Sequence, residues 1–384
     1  MREFAVVLLV AAFVTYLLTP VLRAAAIRLR VMTQPRDRDV HAIPTPRLGG
    51  LAMYGGLLAA VFVATVLPAL QRTFVYSQDI LGVLLAGGLI CLLGALDDRF
   101  DLDALTKLTG QIACAGVMAL FGVQITFLYL PFGDIGTVLL GSDIGVPLTI
   151  LLTVLTINAM NMVDGLDGLL AGVAGIAALA FFAYSYNLSR TGFEDVASAP
   201  TLIAAVLAGS CLGFLPHNFQ PARIFLGDSG AMLIGLLLAG AAVSATGKAD
   251  PQTFTSTTSL LPLTLPLLVP LAVLAFPLID LVLAVLRRTR AGRSPFAADK
   301  LHLHHRLLEI GHSHRRAVLI LYLWTALLAF GVVAVSIFGA SAAMLVALAA
   351  LLVVSILVSS LPRAPNGPAL RPRPPRRTPR WSPK

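Results

Sequence analysis

Asn-Ala-Met-Asn-Met-Val-Asp-Gly-Leu-Asp-Gly-Leu-Leu, residues Asn158–Leu170, sits where two apolar runs meet, 146–161 and 168–187. Asn158, Asn161, Asp164 and Asp167 recur at every third position. A step of three residues turns back about 60° around a helix, so neighbouring members share a face while the first and last do not. Gly165 and Gly168 predict that the helix ends here and the chain turns. Two carboxylates and two amides beside a membrane span are costly to bury, which marks them as a functional site.

Working outward, the rest of the chain is read as membrane. Of its 384 residues, 57% are hydrophobic and 12% charged, and the mean hydropathy is +0.87. A soluble domain carries about 25% charged residues. Crossing a bilayer takes about 20 apolar residues in a helix. Eleven stretches qualify: 3–22, 47–70, 79–96, 107–123, 146–161, 168–187, 199–215, 225–246, 264–286, 317–338 and 340–361. The expected fold is an all-α polytopic membrane protein, with a membrane domain over 1–361. Pro262, Pro266, Pro270 and Pro277 predict a kinked ninth span. The first span has a signal-peptide look, but the weak charge before it and the many later spans argue for a retained helix. Cys91, Cys114 and Cys211 lie inside apolar runs and read as small hydrophobes. Segment 124–145, around Pro-Phe-Gly-Asp, predicts a short hairpin on the outer face. The tail 362–384 is basic and rich in Pro and Arg, hence disordered and drawn to anionic lipid rather than to nucleic acid.

Orientation follows from Lys and Arg. With the N-terminus outside, one set of loops holds 24 of the 28 basic residues, counting the helix-end Arg47 and Lys107. That face is the cytoplasmic one. All seven histidines fall on it, as do Asp97, Asp98, Asp101, Asp103, Asp164, Asp167 and Asp228. A transporter or lipid flippase would hold ionisable groups near the bilayer midplane. Collection at one surface favours a reaction at the interface.

Four further clusters lie at helix ends. Leu-Asp-Asp-Arg-Phe-Asp-Leu-Asp, 96–103, closes the third span and suits a hard divalent cation or a phosphate, or merely a solvated loop. Lys107 opens the next helix, where it can meet a phosphate. Phe-Leu-Gly-Asp-Ser-Gly, 225–230, offers Asp228 as either a helix cap or a metal ligand. Asp-Lys-Leu-His-Leu-His-His-Arg, 299–306, lacks the thiolates and acidic partners of a zinc site. With Lys300 and Arg306, its His302, His304 and His305 suit anion recognition. His312 and His314 are read as solvated. Pro-Thr-Pro-Arg-Leu-Gly-Gly, 44–50, puts Arg47 at headgroup level, as a lipid-phosphate contact or a positive-inside anchor. Asp280, near the inner end of the ninth span, is read as pairing with a basic residue of a neighbouring loop.

These motifs, Pro-Thr-Pro-Arg-Leu-Gly-Gly, Leu-Asp-Asp-Arg-Phe-Asp-Leu, Asn-Ala-Met-Asn-Met-Val-Asp-Gly-Leu-Asp-Gly-Leu, Phe-Leu-Gly-Asp-Ser-Gly and His-Leu-His-His-Arg-Leu-Leu, stand in this order. In that order they resemble the polyprenyl-phosphate N-acetylhexosamine-1-phosphate transferases, from about residue 30 to 330. The His-x-His-His-Arg form is similar to the bacterial branch that uses UDP-N-acetylglucosamine. The muramoyl-pentapeptide branch has three consecutive histidines, where this chain has Leu303 between. The resemblance implies that polyprenyl phosphate attacks the β-phosphorus of UDP-N-acetylglucosamine and releases UMP. It implies Mg²⁺ (or Mn²⁺), a bacterial cytoplasmic membrane, tunicamycin sensitivity and the first lipid-linked step of an envelope polysaccharide. A homodimer is carried as an expectation.

Residue by residue, the match implies a metal site at Asp228 with Asn161 beside it. Asp97 and Asp98 match positions near the attacking phosphate, with Lys107 as their basic neighbour. Asp164, Asp167 and Asn158 match the nucleotide side, and His302, His304, His305 and Arg306 the sugar-diphosphate loop. Asp101 stands where relatives vary. A phosphate monoester has a second pKa near 6, so the acceptor is already largely dianionic at neutral pH. That favours positioning by Asp97 over proton removal.

Overall fold

The computed structural model describes residues 1–33, 44–130, 136–190, 194–247, 275–290, 292, 303–339 and 341–360. Helices carry nearly all of the fold. In chain order they are α1 (Arg2–Arg28), α2 (Gly49–Val66), α3 (Pro68–Tyr76), α4 (Asp79–Phe100), α5 (Ala104–Leu120), α6 (Ser142–Val163) and α7 (Leu169–Arg190). They continue with α8 (Glu194–Asn218), α9 (Gly227–Gly247), α10 (Ala275–Arg290), α11 (Leu303–Glu309), α12 (His314–Phe338) and α13 (Ala342–Ser360).

Among the described residues, eight helices are long and apolar enough to cross a membrane: α1, α2, α4, α6, α7, α8, α9 and α12. Helix α5 and the stretch Ala343–Ser359 of α13 are apolar but shorter. The chain is therefore a multi-pass helical membrane protein. Of the predicted ninth span, only the part from Ala275 is described, as α10, with Pro277 in its first turn. Pro262, Pro266 and Pro270 lie outside the described residues, as does the tail.

Segment 124–145 contains the expected strand pair. β3 (Phe127–Leu130) pairs antiparallel with β4 (Gly136–Leu139), with Phe127 opposite Leu139. A second, two-residue pair joins β1 (Met32–Thr33) to β2 (Thr45–Pro46).

Helix α9 is the hub. Its apolar window is 89% buried, against 22% for α1. It packs on α4, α6, α8 and α2. Without a hydrophobic drive between helices in lipid, close approach of backbones does this work. Gly50 of α2 abuts Gly230, and Gly235 abuts the Ile157 backbone of α6, each with no room for a Cβ. Helices α7 and α8 pack side by side, and α12 closes on α7. The hub thus brings the motifs at the ends of α2, α4, α6 and α9 to one place.

Candidate active site

Two loops are zipped together first. Phe225 N donates to Pro46 O (2.8 Å), Gly49 N to Phe225 O (3.1 Å) and Gly50 N to Leu226 O (3.1 Å). The last two bonds satisfy first-turn donors of α2 that have no partner within their own helix. Leu48 holds φ +85° and is buried beside Ala26 and Val31. Left-handed backbone is costly for leucine, and such strain persists where the surroundings impose it. Here the fixed backbone delivers Arg47 to the acidic cluster.

Asp97 and Asp98 are neighbours in sequence but face different helices, because successive residues of a helix point about 100° apart. Asp98 is spent on α9. Its Oδ1 accepts from Asp228 N (3.0 Å), and its Oδ2 from Ser229 N (3.2 Å) and Ser229 Oγ (3.1 Å). It caps that helix from outside the helix's own chain segment. Gly227, at φ +70°, leaves it room, since a Cβ there would lie 2.3 Å from Asp98 Oδ2. Arg47 Nη1 lies 3.4 Å from Asp98 Oδ1 and 4.0 Å from Asp228 Oδ2. Asp228 itself is therefore not the cap, which leaves its carboxylate turned to the cluster. Replacing Asp98 with Ala strands two backbone donors and removes the nearer of the two carboxylates beside Arg47. We expect Asp98→Ala to lose about 2–6 kcal/mol of stability, at about 1–3 kcal/mol for each buried donor left without an acceptor. Unfolding in detergent measures it, with Asp103→Ala as a milder comparison.

Asp97 faces α5. Its Oδ2 receives Lys107 Nζ at 2.6 Å, and its Oδ1 accepts from Leu102 N at 2.9 Å. Lys107 Nζ also reaches Asp228 Oδ1 at 2.8 Å. Asn161 Nδ2 donates to the same oxygen at 2.5 Å. Asp164 follows α6 directly. Burial, then the charge of Asp228, pushes its carboxyl up to about 7, against the pull of Arg47. So Asp97, Asp98, Asp164 and Asp228 stand against two cations, Arg47 and Lys107.

Three predicted residues are placed outside this cluster. Asn158 Nδ2 donates to Gln111 Oε1 (2.7 Å) and Val154 O (2.8 Å), deeper along α6, where it braces α5. Asp101 ends α4 in left-handed backbone and is exposed. Asp167 is 3% exposed. Its Oδ2 accepts from Ala222 N (3.0 Å), and its own N–H donates to His314 Nε2 (3.2 Å). Asp103, outside the pair, is the N-cap of α5, and the Thr106 hydroxyl above all holds its carboxyl below the usual range.

His312 and His314 are corrected: both are 8% exposed, not solvated. His312 Nε2 lies 2.8 Å from Ser359 O, tying the end of α13. His314 clamps the α6–α7 turn, helped by Tyr322, whose hydroxyl donates to Gly168 O, and by Asn218, whose Oδ1 accepts from Gly168 N at 3.1 Å. None of these contacts has a local sequence signature. Gln111, a lone amide in an apolar run, is the one brace whose polarity marks it in advance.

Arg306 is exposed on α11, which packs on α12. His304 and His305 belong to the same helix, and His302 lies outside the described residues. Asp280 belongs to α10, and its side chain lies outside the described part.

Among the described residues, no three His, Cys, Asp or Glu side chains converge as a ready metal cage. Mg²⁺ does not need one, being held by one or two carboxylates together with substrate phosphates. The ammonium lodged between Asp97 and Asp228 marks a place where these carboxylates accept positive charge. The donor set fits such an ion.

Comparison with known proteins supplies the rest. The model of glycosyl transferase family 4 matches residues 80–246, from α4 to α9. The decaprenyl-phosphate N-acetylglucosaminephosphotransferase of Mycolicibacterium smegmatis is 50% identical over 370 residues, 96% of this chain and 90% of its own. That of Mycobacterium leprae is 50% identical over 332 residues, 86% of this chain and 83% of its own. The undecaprenyl-phosphate alpha-N-acetylglucosaminyl 1-phosphate transferase of Escherichia coli is 31% identical over 312 residues, 80% and 77% of the two chains. With likeness of this depth running through every helix that builds the acidic cluster, the chain belongs to glycosyl transferase family 4, among the polyprenyl-phosphate N-acetylhexosamine-1-phosphate transferases.

Proposed function

We propose that this protein transfers N-acetylglucosamine-1-phosphate from UDP-N-acetylglucosamine to a membrane polyprenyl phosphate, releasing UMP. The observation that carries the reading is the joint placement of Asp97, Lys107, Asn161 and Asp228 around one point at helix ends. The names of the relatives supply the substrates: decaprenyl phosphate at 50% identity and undecaprenyl phosphate at 31%. The product begins a cell-envelope polysaccharide. The site faces the cytoplasm of a bacterial membrane, the side on which 24 of 28 basic residues gather.

Phosphoryl transfer needs positioning and charge stabilisation more than covalent help. Asp228 and Asn161 would hold Mg²⁺ (or Mn²⁺), and the bound ion would neutralise charge on the donor diphosphate. Arg47 and Lys107 hold the acceptor phosphate in line with the donor. One of its oxygens forms the new bond to the β-phosphorus, and the bond to the UMP oxygen breaks with its electron pair. A dianionic acceptor and a dianionic UMP balance the step without a proton donor. Asp97 keeps Lys107 aimed at this point and is not required as a strong base. Asp164 orients the nucleotide. Asp167 supports it indirectly, through the turn it ties to Ala222 and His314. Arg306, with the histidines of α11, meets the sugar diphosphate.

The test is UMP release by purified protein given polyprenyl phosphate and a panel of UDP-sugars. UDP-N-acetylglucosamine is expected to be used at least ~100-fold better, by kcat/KM, than UDP-N-acetylmuramoyl-pentapeptide, a difference of about 2.7 kcal/mol at the transition state. Preference for the pentapeptide donor, or no UMP release with any donor, overturns the reading.

A further inference from the structure

We infer that Lys107 is a built-in competitor for the divalent cation: its ammonium, lodged between Asp97 and Asp228, takes the ion's place on Asp228, and metal binding displaces it. The inference rests on the reading of Asp228 as a metal ligand given above.

The geometry is that of a bridging cation. One nitrogen lies 2.6 Å from Asp97 Oδ2 and 2.8 Å from Asp228 Oδ1. Mg²⁺ takes oxygens at about 2.0–2.1 Å, closer than an ammonium does, so an ion held on Asp228 would claim the space that the ammonium occupies. Both cannot occupy it, since two positive charges at contact repel strongly in a partly buried site.

The two cations of the cluster are unequal in this respect. Arg47 stands back, 3.4 Å from Asp98 and 4.0 Å from Asp228, on a backbone locked by Leu48. Lys107 is a compact charge on a flexible four-carbon stem, suited to moving aside. Its side chain is 22% exposed, so it has somewhere to go.

Charge balance gives the displacement a consequence. Three carboxylates, Asp97, Asp98 and Asp228, face Arg47 and Lys107, and the lysine limits the excess negative charge while the site is empty of substrate. When a donor diphosphate arrives with its metal, the cluster gains both anions and cations. The released ammonium then meets the phosphate of the acceptor. Lysine occupancy thereby holds metal affinity down until anionic substrate is present, and frees a cation when one is needed.

The experiment is Mn²⁺ titration of the full-length protein in detergent, with free Mn²⁺ read by electron paramagnetic resonance and without substrate. Lys107→Gln is expected to bind Mn²⁺ about tenfold tighter or more than the wild type, and Lys107→Arg within a few-fold of it. The rise in thermal midpoint on adding Mn²⁺ should be larger for Lys107→Gln, and Lys107→Met should give the same sign. Equal or weaker binding by both neutral variants, with binding lost in Asp228→Asn, overturns the competition and leaves the metal site standing. Wild-type Mn²⁺ binding by Asp228→Asn overturns the metal reading itself, and the competition with it.

Discussion

Asp228→Asn should abolish Mg²⁺-dependent UMP release while leaving the protein folded. The amide matches the carboxylate in shape. It keeps one oxygen for the Asn161 amide, and the backbone N–H of residue 228 still donates to Asp98. What it loses is the charge that faces Lys107 at 2.8 Å and Arg47 at 4.0 Å, which is also the anionic ligand proposed for the metal. A metal acting on a phosphoryl oxygen supplies several kcal/mol of transition-state stabilisation. At about 1.4 kcal/mol per tenfold, loss of the ion corresponds to ~10³-fold or more in kcat. The measurement is UMP release against Mg²⁺ concentration, with nucleotide binding and thermal midpoint followed in parallel. Normal Mg²⁺-dependent release would remove Asp228 from the metal site. Asp97→Asn gives the contrast: its loss of turnover should leave nucleotide binding intact, because its partners are Lys107 and Leu102 on the α5 side.

The difference between these two aspartates shows what a linear reading can and cannot reach. Apolar runs long enough to cross a bilayer are a local property, and helix forms the bulk of each described run, although the run 47–70 breaks at the extended Leu67 into α2 and α3. The turn after Asp164 was legible from Gly165 and Gly168, and the helix does end at Val163. Asp97 and Asp98 look like one unit on paper. The rotation per residue sends one to Lys107 and the other to the start of α9, 130 positions away. Whether Asp228 caps its helix or faces the cluster was undecidable locally, because the answer depends on Asp98 taking the capping role. Asp167 and His314 are 147 positions apart, and nothing in either neighbourhood predicts that one anchors the other. Polarity beside a span therefore points to this cluster, while the division into groups that face it and groups that hold it depends on tertiary packing.

That packing is most exposed to test at Gly94. A Cβ added there would stand 2.4 Å from Ser229 Cα and N and 2.6 Å from Asp228 C. All three are backbone atoms at the start of a helix buried on every side, so no side-chain rotation relieves the clash. Helix α4 or the first turn of α9 must move by about 1 Å, and overpacking of this kind costs about 1–3 kcal/mol. The same movement carries Asp228 away from Asn161 and Lys107 and pulls its N–H off Asp98. A 1 Å misplacement at a reacting centre costs up to ~10²-fold in rate. Gly94→Ala should therefore lower kcat for UMP release by about that factor, with a smaller relative change in the KM for nucleotide. Gly116→Ala is the matched control: nothing lies within 4 Å of its added Cβ, and alanine is favoured in a helix by about 1 kcal/mol. It should leave turnover unchanged and stability equal or higher. Near-normal turnover in Gly94→Ala would mean that Asp228 tolerates displacement, and that contact between α4 and α9 does not set the geometry of the reaction.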